Sequence, residues 1–379
     1  MAGIYIHIPF CKQKCHYCNF YSLASRKHDK AFLSALIREI SLQKKYLGGE
    51  TVNSIYLGGG TPSLFGEPEL NEIFSALFHH YSILKDAEIT LEANPDDMGE
   101  EFLKQLRSSP VNRLSIGVQS FRDEDLRYLN RVHSAGQAER AVSAALDHGY
   151  SNLSLDLIFG IPTLDDRGMR SNLDRFLSFE VPHLSAYALT VEPKTALDVL
   201  IKKGKMKAVD EEKTARQFLM LVRALQQNGY SHYEISNFSK PHFQARHNTN
   251  YWLGEKYLGL GPSAHSFDGR SRQWNVSNLA SYISGMEIGN PVFEQEVLSA
   301  QEQYNEYVMV SLRTSWGVDR EKLTREFGKI IADYFIEAVQ KFIDRGLVEH
   351  ADPSYILTEA GKLHADGIAA ELFWPEEVG

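Results

Sequence analysis

Cys11, Cys15 and Cys18 are the only cysteines in the chain, and they fall within eight consecutive residues, Cys11-Lys12-Gln13-Lys14-Cys15-His16-Tyr17-Cys18. An odd number packed this tightly cannot build a disulfide framework and is the pattern of metal ligation. Ferredoxin-type clusters take four thiolates. Three leave one iron of a cuboidal [4Fe-4S] cluster open, and a small molecule carrying adjacent amine and carboxylate groups can chelate it. Phe10, Tyr17, Phe20 and Tyr21 interleave with the cysteines, a shell expected to lower local polarity and water access. The competing reading is a structural zinc site completed by His7 or His16. Zinc sites usually come as paired CxxC units a dozen or more residues apart, and the chain has no second unit.

Other residues capable of chemistry sit where apolar runs end. Gly58-Gly59-Gly60-Thr61-Pro62 follows one such run; residues without side chains let backbone groups approach a ligand, and Thr61 can cap a helix or donate its hydroxyl. The run matches neither GxGxxG nor a P-loop, and taken alone it reads as a turn. Glu92, with Asn94-Pro95 behind it, and Gln119 end two more runs, and Asp156 lies near the end of a third. A carboxylate buried at such a position needs a donor or a cation; ribose hydroxyls and a sulfonium or ammonium group would serve, as would a structural ion pair. Arg131 could face a carboxylate bidentately.

The elements that must position these residues follow from periodicity. Short apolar runs alternate with helical patterns through the first half of the chain, which argues for βα units around a parallel sheet. The expected strands are 4–8, 54–57, 88–92, 113–118, 152–157 and 183–189. Helices are expected over 31–46, 68–81, 100–107, 137–148 and 167–177. Six such units make an α/β fold of the incomplete barrel kind, and in (β/α) barrels the C-terminal strand ends form the active face. The alternation fades near Val191, a Lys-rich linker spans 202–207, and one long helix is expected over 210–228. Residues 231–298 are rich in Gly, Asn, Ser and aromatics with weak periodicity and read mainly as loops and short strands. Residues 299–379 read as three helices (301–312, 320–327 and 331–345) and a hairpin around Asp352-Pro353, a small α+β unit like a winged helix. The expected domains are therefore 1–230, 231–298 and 299–379.

Composition excludes some partners. The formal charge of −9 gives no reason to seek phosphate backbones. The winged-helix-like tail has eight Lys or Arg against fifteen Asp or Glu over residues 301–379, a net of −7, so DNA binding is not expected. The N-terminal MAGIYIHIPFC is too short for a membrane span and lacks the layout of a signal peptide, so a cytoplasmic protein without a stable membrane span is expected.

CxxxCxxC with an aromatic before the third cysteine resembles the signature of the radical SAM superfamily. The resemblance implies an incomplete (β/α)6 barrel holding a [4Fe-4S] cluster on Cys11, Cys15 and Cys18 and S-adenosylmethionine on the open iron, with GGGTP holding its amino group. The segments IYIHIPFC, YLGGGTPS, EANPDD, SIGVQSF, LNRVHS, DLIFGIP and GLGPSAHS together resemble the HemN/HemW group over essentially the whole chain. Carried over position by position, Tyr5, Tyr17, Gly59, Gly60, Thr61, Glu92, Gln119, Arg131 and Asp156 match positions that contact S-adenosylmethionine, with Thr190 a further candidate. Two activities compete within the group: oxygen-independent coproporphyrinogen III oxidation and heme trafficking. Oxidases of the group carry an extension before the first strand, which here begins at Ile4, and a further cysteine after the triad, where this chain has Asn19 and Phe20. His247-Asn248-Thr249-Asn250-Tyr251-Trp252 is similar to the HNxxYW motif of the trafficking branch. It implies heme binding, with His247 as axial ligand and Asn248, Tyr251 and Trp252 around the porphyrin. The expected function is thus that of a heme chaperone delivering heme to acceptor apo-proteins, of a respiratory system. Porphyrinogen oxidative decarboxylation is the alternative, and a radical enzyme acting on an unrelated substrate is a third reading.

Overall fold

The computed structural model describes residues 1–375; residues 376–379, the end of the acidic tail, lie outside them. Strands β1 (Ala2–Ile8), β2 (Val52–Gly59), β3 (Ile83–Ala93), β4 (Arg113–Gln119), β5 (Leu153–Phe159) and β6 (His183–Ala188) run parallel and pair in sequence order. Because side chains alternate across a strand, each splits into an apolar outer set and a polar inner set. Ile4, Ile6 and Ile8 of β1, Leu114, Ile116 and Val118 of β4, and Leu153, Leu155 and Leu157 of β5 are buried in the main core. Helices such as Asp29–Leu42, Glu67–His80, Ala135–Asp147 and Asp166–Ser178 add their own apolar residues to it, among them Leu36, Ile73, Val142 and Phe176. Tyr56, Glu92, Ser115, Asp156 and Ser185, from the opposite positions of five strands, line a cavity inside the curved sheet.

The barrel does not close, since β6 never meets β1. Antiparallel β7 (Ser231–Glu234) and β8 (Asn237–Ser239) extend the sheet beyond β6, whereas β9 (Lys256–Leu260), parallel to β1, extends it the other way. Beyond β9 lie β10 (His265–Phe267), β11 (Ser271–Asn275) and β12 (Phe293–Val297), giving twelve strands in one sheet. The outer edge is guarded by composition: all five residues of β12 are exposed, and two of them are glutamates, which discourages pairing with a further strand.

The region expected to be mainly loops and short strands supplies short strands at both edges of the sheet and also two helices, Arg246–Leu253 and Leu279–Glu287, that were not expected. Their causes are not local. The backbone N–H groups of Arg246 and His247 donate to the two carboxylate oxygens of Glu88 on β3, both at 2.9 Å, so the helix start is capped from a residue 158 positions away. Its end is set locally, by Gly254 at φ 76°. The second helix joins the barrel through Glu39, which is fully buried on the helix Asp29–Leu42. The Glu39 carboxylate accepts from Tyr282 Oη at 2.7 Å, Asn275 Nδ2 at 2.6 Å and Gly261 N at 2.8 Å.

A second core gathers Tyr304, Val308, Leu312, Leu323, Phe335, Val339 and Phe342 from the helices Ala300–Leu312, Arg320–Phe327 and Lys329–Asp344. The expected hairpin is β14 (Val348–Ala351) and β15 (Ser354–Leu357), and β13 (Val318–Asp319) adds a third antiparallel strand. A helix over Ala365–Glu371 follows.

Removing the Glu39 carboxylate takes an acceptor from three buried donors, of which only Asn275 Nδ2 keeps another partner, Gly261 O at 2.9 Å. Glu39→Ala is expected to cost roughly 3 kcal/mol, read as a lower urea midpoint, and Glu39→Gln, which keeps an acceptor, should cost less. Equal midpoints for wild type and Glu39→Ala would show that the extension is held otherwise.

Candidate functional site

The cysteine loop leaves β1 at Ile8 and is tied down from several sides. Cys11 N donates to Leu23 O at 3.0 Å and Leu23 N to Pro9 O at 2.7 Å, which folds the loop back on its own stem. Its far side is stitched to the segment 128–131: His16 N donates to Leu129 O (3.1 Å), Gln13 Nε2 to Asn130 O (3.0 Å) and Asn130 Nδ2 to Lys14 O (2.9 Å). Asn130 adopts φ 61°, the left-handed region that asparagine tolerates better than most residues. Lys12 pairs with Asp96 at 2.7 Å and with Asp97.

All three cysteines line a cavity of about 410 Å³ at the C-terminal ends of the parallel strands. Burial pushes the Cys11 and Cys18 thiols up; the Thr61 and Ser22 hydroxyls pull Cys11 back, as the Phe20 N–H does Cys18. Arg131 Nη1 lies 3.4 Å from Cys15 Sγ. These donors favour thiolate character once a metal removes the protons. Among the described residues no three His, Cys, Asp or Glu side chains converge on a point that one ion could occupy. His7 is already engaged by Tyr5 Oη and Tyr21 O, and His16 Nδ1 by Tyr128 O. The three thiols are spread along the cavity rather than gathered for one ion, which fits a multi-iron cluster, whose corners need no common point.

The glycine run behaves as a close-approach turn. Gly59 has φ +104°, and a Cβ there would meet the His7 ring at 2.6 Å; at Gly60 it would meet Phe10 O at 2.6 Å and Ile8 O at 2.8 Å, both backbone. Thr61 makes no capping bond; instead its Oγ1 accepts from Asn94 Nδ2 at 3.1 Å. Asn94 Oδ1 in turn accepts from Arg131 Nη2 at 2.7 Å, and Gly117 O accepts from the same nitrogen at 2.9 Å. Arg131 thus faces a thiol, an amide and a carbonyl, and among the described residues no carboxylate lies within salt-bridge distance of it. Gln119, also on the cavity, sits at φ 65° beside a break in the β4–β5 register, strain of the kind stored at functional sites.

Two carboxylates stand on the inner face. Glu92 accepts from Tyr56 Oη at 2.7 Å and Gly59 N at 3.2 Å, yet burial lifts its pKa to about 7, with Asp156 adding to the rise. Asp156 accepts from Ser115 Oγ at 3.1 Å and is raised by burial to about 6. Both lack a cationic contact within salt-bridge distance among the described residues. A ligand offering hydroxyls or positive charge would relieve them.

Of the residues expected to contact S-adenosylmethionine, Tyr17, Gly59, Gly60, Thr61, Glu92, Gln119, Arg131 and Asp156 line this cavity, as does Thr190. Tyr5 does not. It lies in the adjoining groove, its ring stacked on Tyr56 at 6.1 Å. The aromatic shell around the cysteines is also thinner than expected. Tyr17 and Phe20 border the cavity, but Phe10 is buried against Phe32 and Phe65 in the core, and Tyr21 Oη accepts from Leu279 N, 2.7 Å away. Tyr56, Asn94, Arg113, Ser115 and Tyr187 line the cavity without having been singled out as ligand contacts. The inward alternation of YLGGG, RLSIGVQ and HLSAYA could have found all of these but Asn94, because each polar residue sits two positions from the next inward one; Asn94 lies outside those segments, two positions after Glu92.

A larger groove of about 1,160 Å³ adjoins the cavity and reaches the helix Ala300–Leu312 and the residues after it. Asn19, Phe20, Tyr56, Glu92, Tyr187 and Asn248 border both spaces. Asn248, Tyr251 and Trp252 line the groove with His247, but His247 is 2% exposed and both its ring nitrogens are engaged: Nδ1 with Ser54 Oγ at 3.0 Å, Nε2 with Tyr251 Oη at 2.8 Å. Asn250 Nδ2 donates to Asn53 and Ser54. The motif therefore splits, with His247 and Asn250 anchoring the helix across β1 and β2, and Asn248, Tyr251 and Trp252 turned to the groove.

Residues 5–176 match the family model of the radical SAM superfamily and residues 298–364 that of the HemN C-terminal domain. A solved structure of coproporphyrinogen III oxidase (HemN) from Escherichia coli superposes with a TM-score of 0.84 at 23% identity, covering 98% of this chain and 90% of that one, which shows a common fold. With three thiols on the loop after the first barrel strand, the class is that of the radical SAM proteins, which hold a [4Fe-4S] cluster and S-adenosylmethionine. Over nearly its whole length the chain is similar to proteins named heme chaperone HemW. Identity is 34% with that of Bacillus subtilis, covering 96% of this chain and 97% of the relative, and 32% with that of Escherichia coli, covering 99% and 98%. The chain belongs to the HemW family.

Glu92 has a pKa of about 7 folded against about 4.3 unfolded. Folding therefore loses stability as pH rises between those values, and the loss is complete above pH 7. Glu92→Gln removes it. Without ligand the variant should be more stable than wild type at pH 8 by up to about 4 kcal/mol, equal to it near pH 4, and deficient in S-adenosylmethionine binding. The measurement is the difference in urea midpoint between variant and wild type at the two pH values, in which the separate shift of Glu39 cancels; a constant difference would refute the assignment. Gly60→Ala, whose Cβ meets backbone, should displace the cysteine loop and reduce iron incorporation while leaving the helical circular dichroism intact.

Proposed function

We propose that this protein is a heme chaperone: it holds a [4Fe-4S] cluster on Cys11, Cys15 and Cys18, S-adenosylmethionine beside it, and heme in the adjoining groove, and it passes the heme to acceptor apo-proteins. The observation that carries this is the similarity to heme chaperones along nearly the full chain. When bound, the cluster supplies an open iron for the amine and carboxylate of S-adenosylmethionine and an electron for its reduction. The chain's own residues bind and orient. Gly59 and Gly60 let backbone approach the ligand, Thr61 and Asn94 link that turn to Arg131, and Glu92 and Asp156 offer carboxylates to its hydroxyls and positive charge. Tyr17, Gln119 and Arg131 complete the wall, and Tyr5 acts through Tyr56.

Asn248, Tyr251 and Trp252 support the placement of heme, since they present an amide and two aromatic faces to a space of about 1,160 Å³, ample against the roughly 300–1,000 Å³ of ordinary ligand sites. The C-terminal helices form one wall of the groove. We place the protein in the cytoplasm, with respiratory apo-proteins as its acceptors; among the described residues no helix is long and apolar enough to cross a membrane.

Anaerobic reconstitution of the cluster, followed by heme titration and by transfer to apomyoglobin as a model acceptor, tests the reading. Saturable heme binding and transfer are expected, with no turnover of coproporphyrinogen III. Efficient formation of protoporphyrinogen together with no heme binding would instead assign the oxidase activity. Cys15→Ala should abolish the S-adenosylmethionine-sensitive cluster signal.

A further inference from the structure

Three histidines border the groove, and they are not equivalent. His7 and His247 have both ring nitrogens in hydrogen bonds. For His247, 2% exposed, to bind iron through Nε2, it must give up its bond to the Tyr251 hydroxyl and come out of the packing that covers it. His265 carries no such obligation. It is exposed on the groove, and among the described residues neither of its ring nitrogens has a hydrogen-bond partner; its only perturbations are partial burial and the charges of Arg272 and Glu296.

The surroundings of His265 are those of a site. Its ring stacks on Trp274, the cross-strand partner on β11, with centroids 5.9 Å apart and planes 25° apart, which restricts its orientation. Strand periodicity places Phe267 on the same face as His265, and Phe267 meets Tyr257 of β9 at 6.2 Å, so an aromatic surface extends from the imidazole along the sheet. The groove has cations as well. Lys256 and Arg272 are engaged by Glu50 and Glu306, but Lys322 lies over the Tyr307 ring at 4.7 Å and has no carboxylate within salt-bridge distance among the described residues. An accessible imidazole nitrogen, a broad aromatic floor and a spare ammonium group match the three parts of a heme: axial iron position, macrocycle and propionate.

Resting on the heme-chaperone reading above, we propose that His265, rather than His247, supplies the axial nitrogen to heme iron, with Lys322 receiving a propionate. His247 is then a positioning residue that holds the helix carrying Asn248, Tyr251 and Trp252.

The test uses cluster-reconstituted full-length protein titrated with hemin, read by electron paramagnetic resonance and resonance Raman spectra of the ferric heme. Wild type should give the signature of a nitrogen axial ligand. His265→Ala should lose it and bind hemin about tenfold or more weakly, while His265→Gly supplemented with imidazole should regain it. His247→Ala should keep the nitrogen signature. If His265→Ala leaves the spectrum unchanged while wild type binds hemin, the ligand assignment is overturned and the chaperone reading stands. If wild type itself binds no hemin, both fall.

Discussion

One guanidinium holds the centre of this structure together. Arg131 reaches Cys15 Sγ, Asn94 Oδ1 and Gly117 O with its two terminal nitrogens, and through Asn94 and Thr61 it joins the cysteine loop to the glycine turn after β2. A loop with three thiols has no secondary structure of its own to hold it in register, so its geometry must come from such cross-links. A buried cation is costly unless it is paired and hydrogen-bonded. Here the neighbours are a thiol, an amide and a carbonyl, each satisfying part of its donor set, and the charge supports a thiolate-bound centre. Arg131 is itself fixed by the segment that begins at left-handed Asn130 and that also bonds the far side of the cysteine loop. The loop, the turn and the residues after β4 therefore form one unit, and the cavity is the space they enclose.

The barrel works against its own stability to make that cavity. Each parallel strand buries its outward residues in an apolar core and turns polar residues inward, where Glu92 and Asp156 are held with pKa values near 7 and 6. A fold optimised for stability alone would fill the interior with branched aliphatic side chains. The inner carboxylates are tolerable because Tyr56, Gly59 and Ser115 donate to them and because the outer core and the Glu39 network stabilise the remainder. A binding site of this kind is most stable once occupied, since a ligand that pairs with these groups stabilises the folded chain by linkage.

The parts of this molecule legible in the sequence are those whose causes are local. The six parallel strands and the helices between them follow from alternation and three-to-four spacing, and the helix over Glu100–Arg107 has the same limits in both readings. The strand ends carry Glu92 and Gln119 to the cavity as expected, and Asp156 faces it from the middle of β5 rather than from near its end, because side-chain direction follows from strand periodicity alone. What was not legible depends on distant partners. The helix Arg246–Leu253 starts where Glu88 caps it; β9 is a strand because β1 leaves an edge to pair with; and Phe10, next to Cys11 in sequence, belongs to the core because the loop turns over it. His247 shows the same limit at the level of one side chain. Its residue type and motif suggest an available imidazole, but the positions of Ser54 and Tyr251 decide that both nitrogens are occupied.

The two spaces are not independent. Tyr56 and Glu92 border both the cluster cavity and the groove, and Tyr56 links them by donating to Glu92 while stacking against Tyr5 and His247. A ligand that takes up the Glu92 carboxylate on one side alters the partner of the Tyr56 hydroxyl, and with it the aromatic stack beneath the groove. Whatever free energy one ligand then contributes to binding of the other is returned in equal measure, as linkage requires. Asn248, on the helix anchored by His247, reaches both spaces as well. A carrier must bind its cargo firmly and also release it, and an open groove sharing side chains with a second ligand site offers a physical route from one condition to the other.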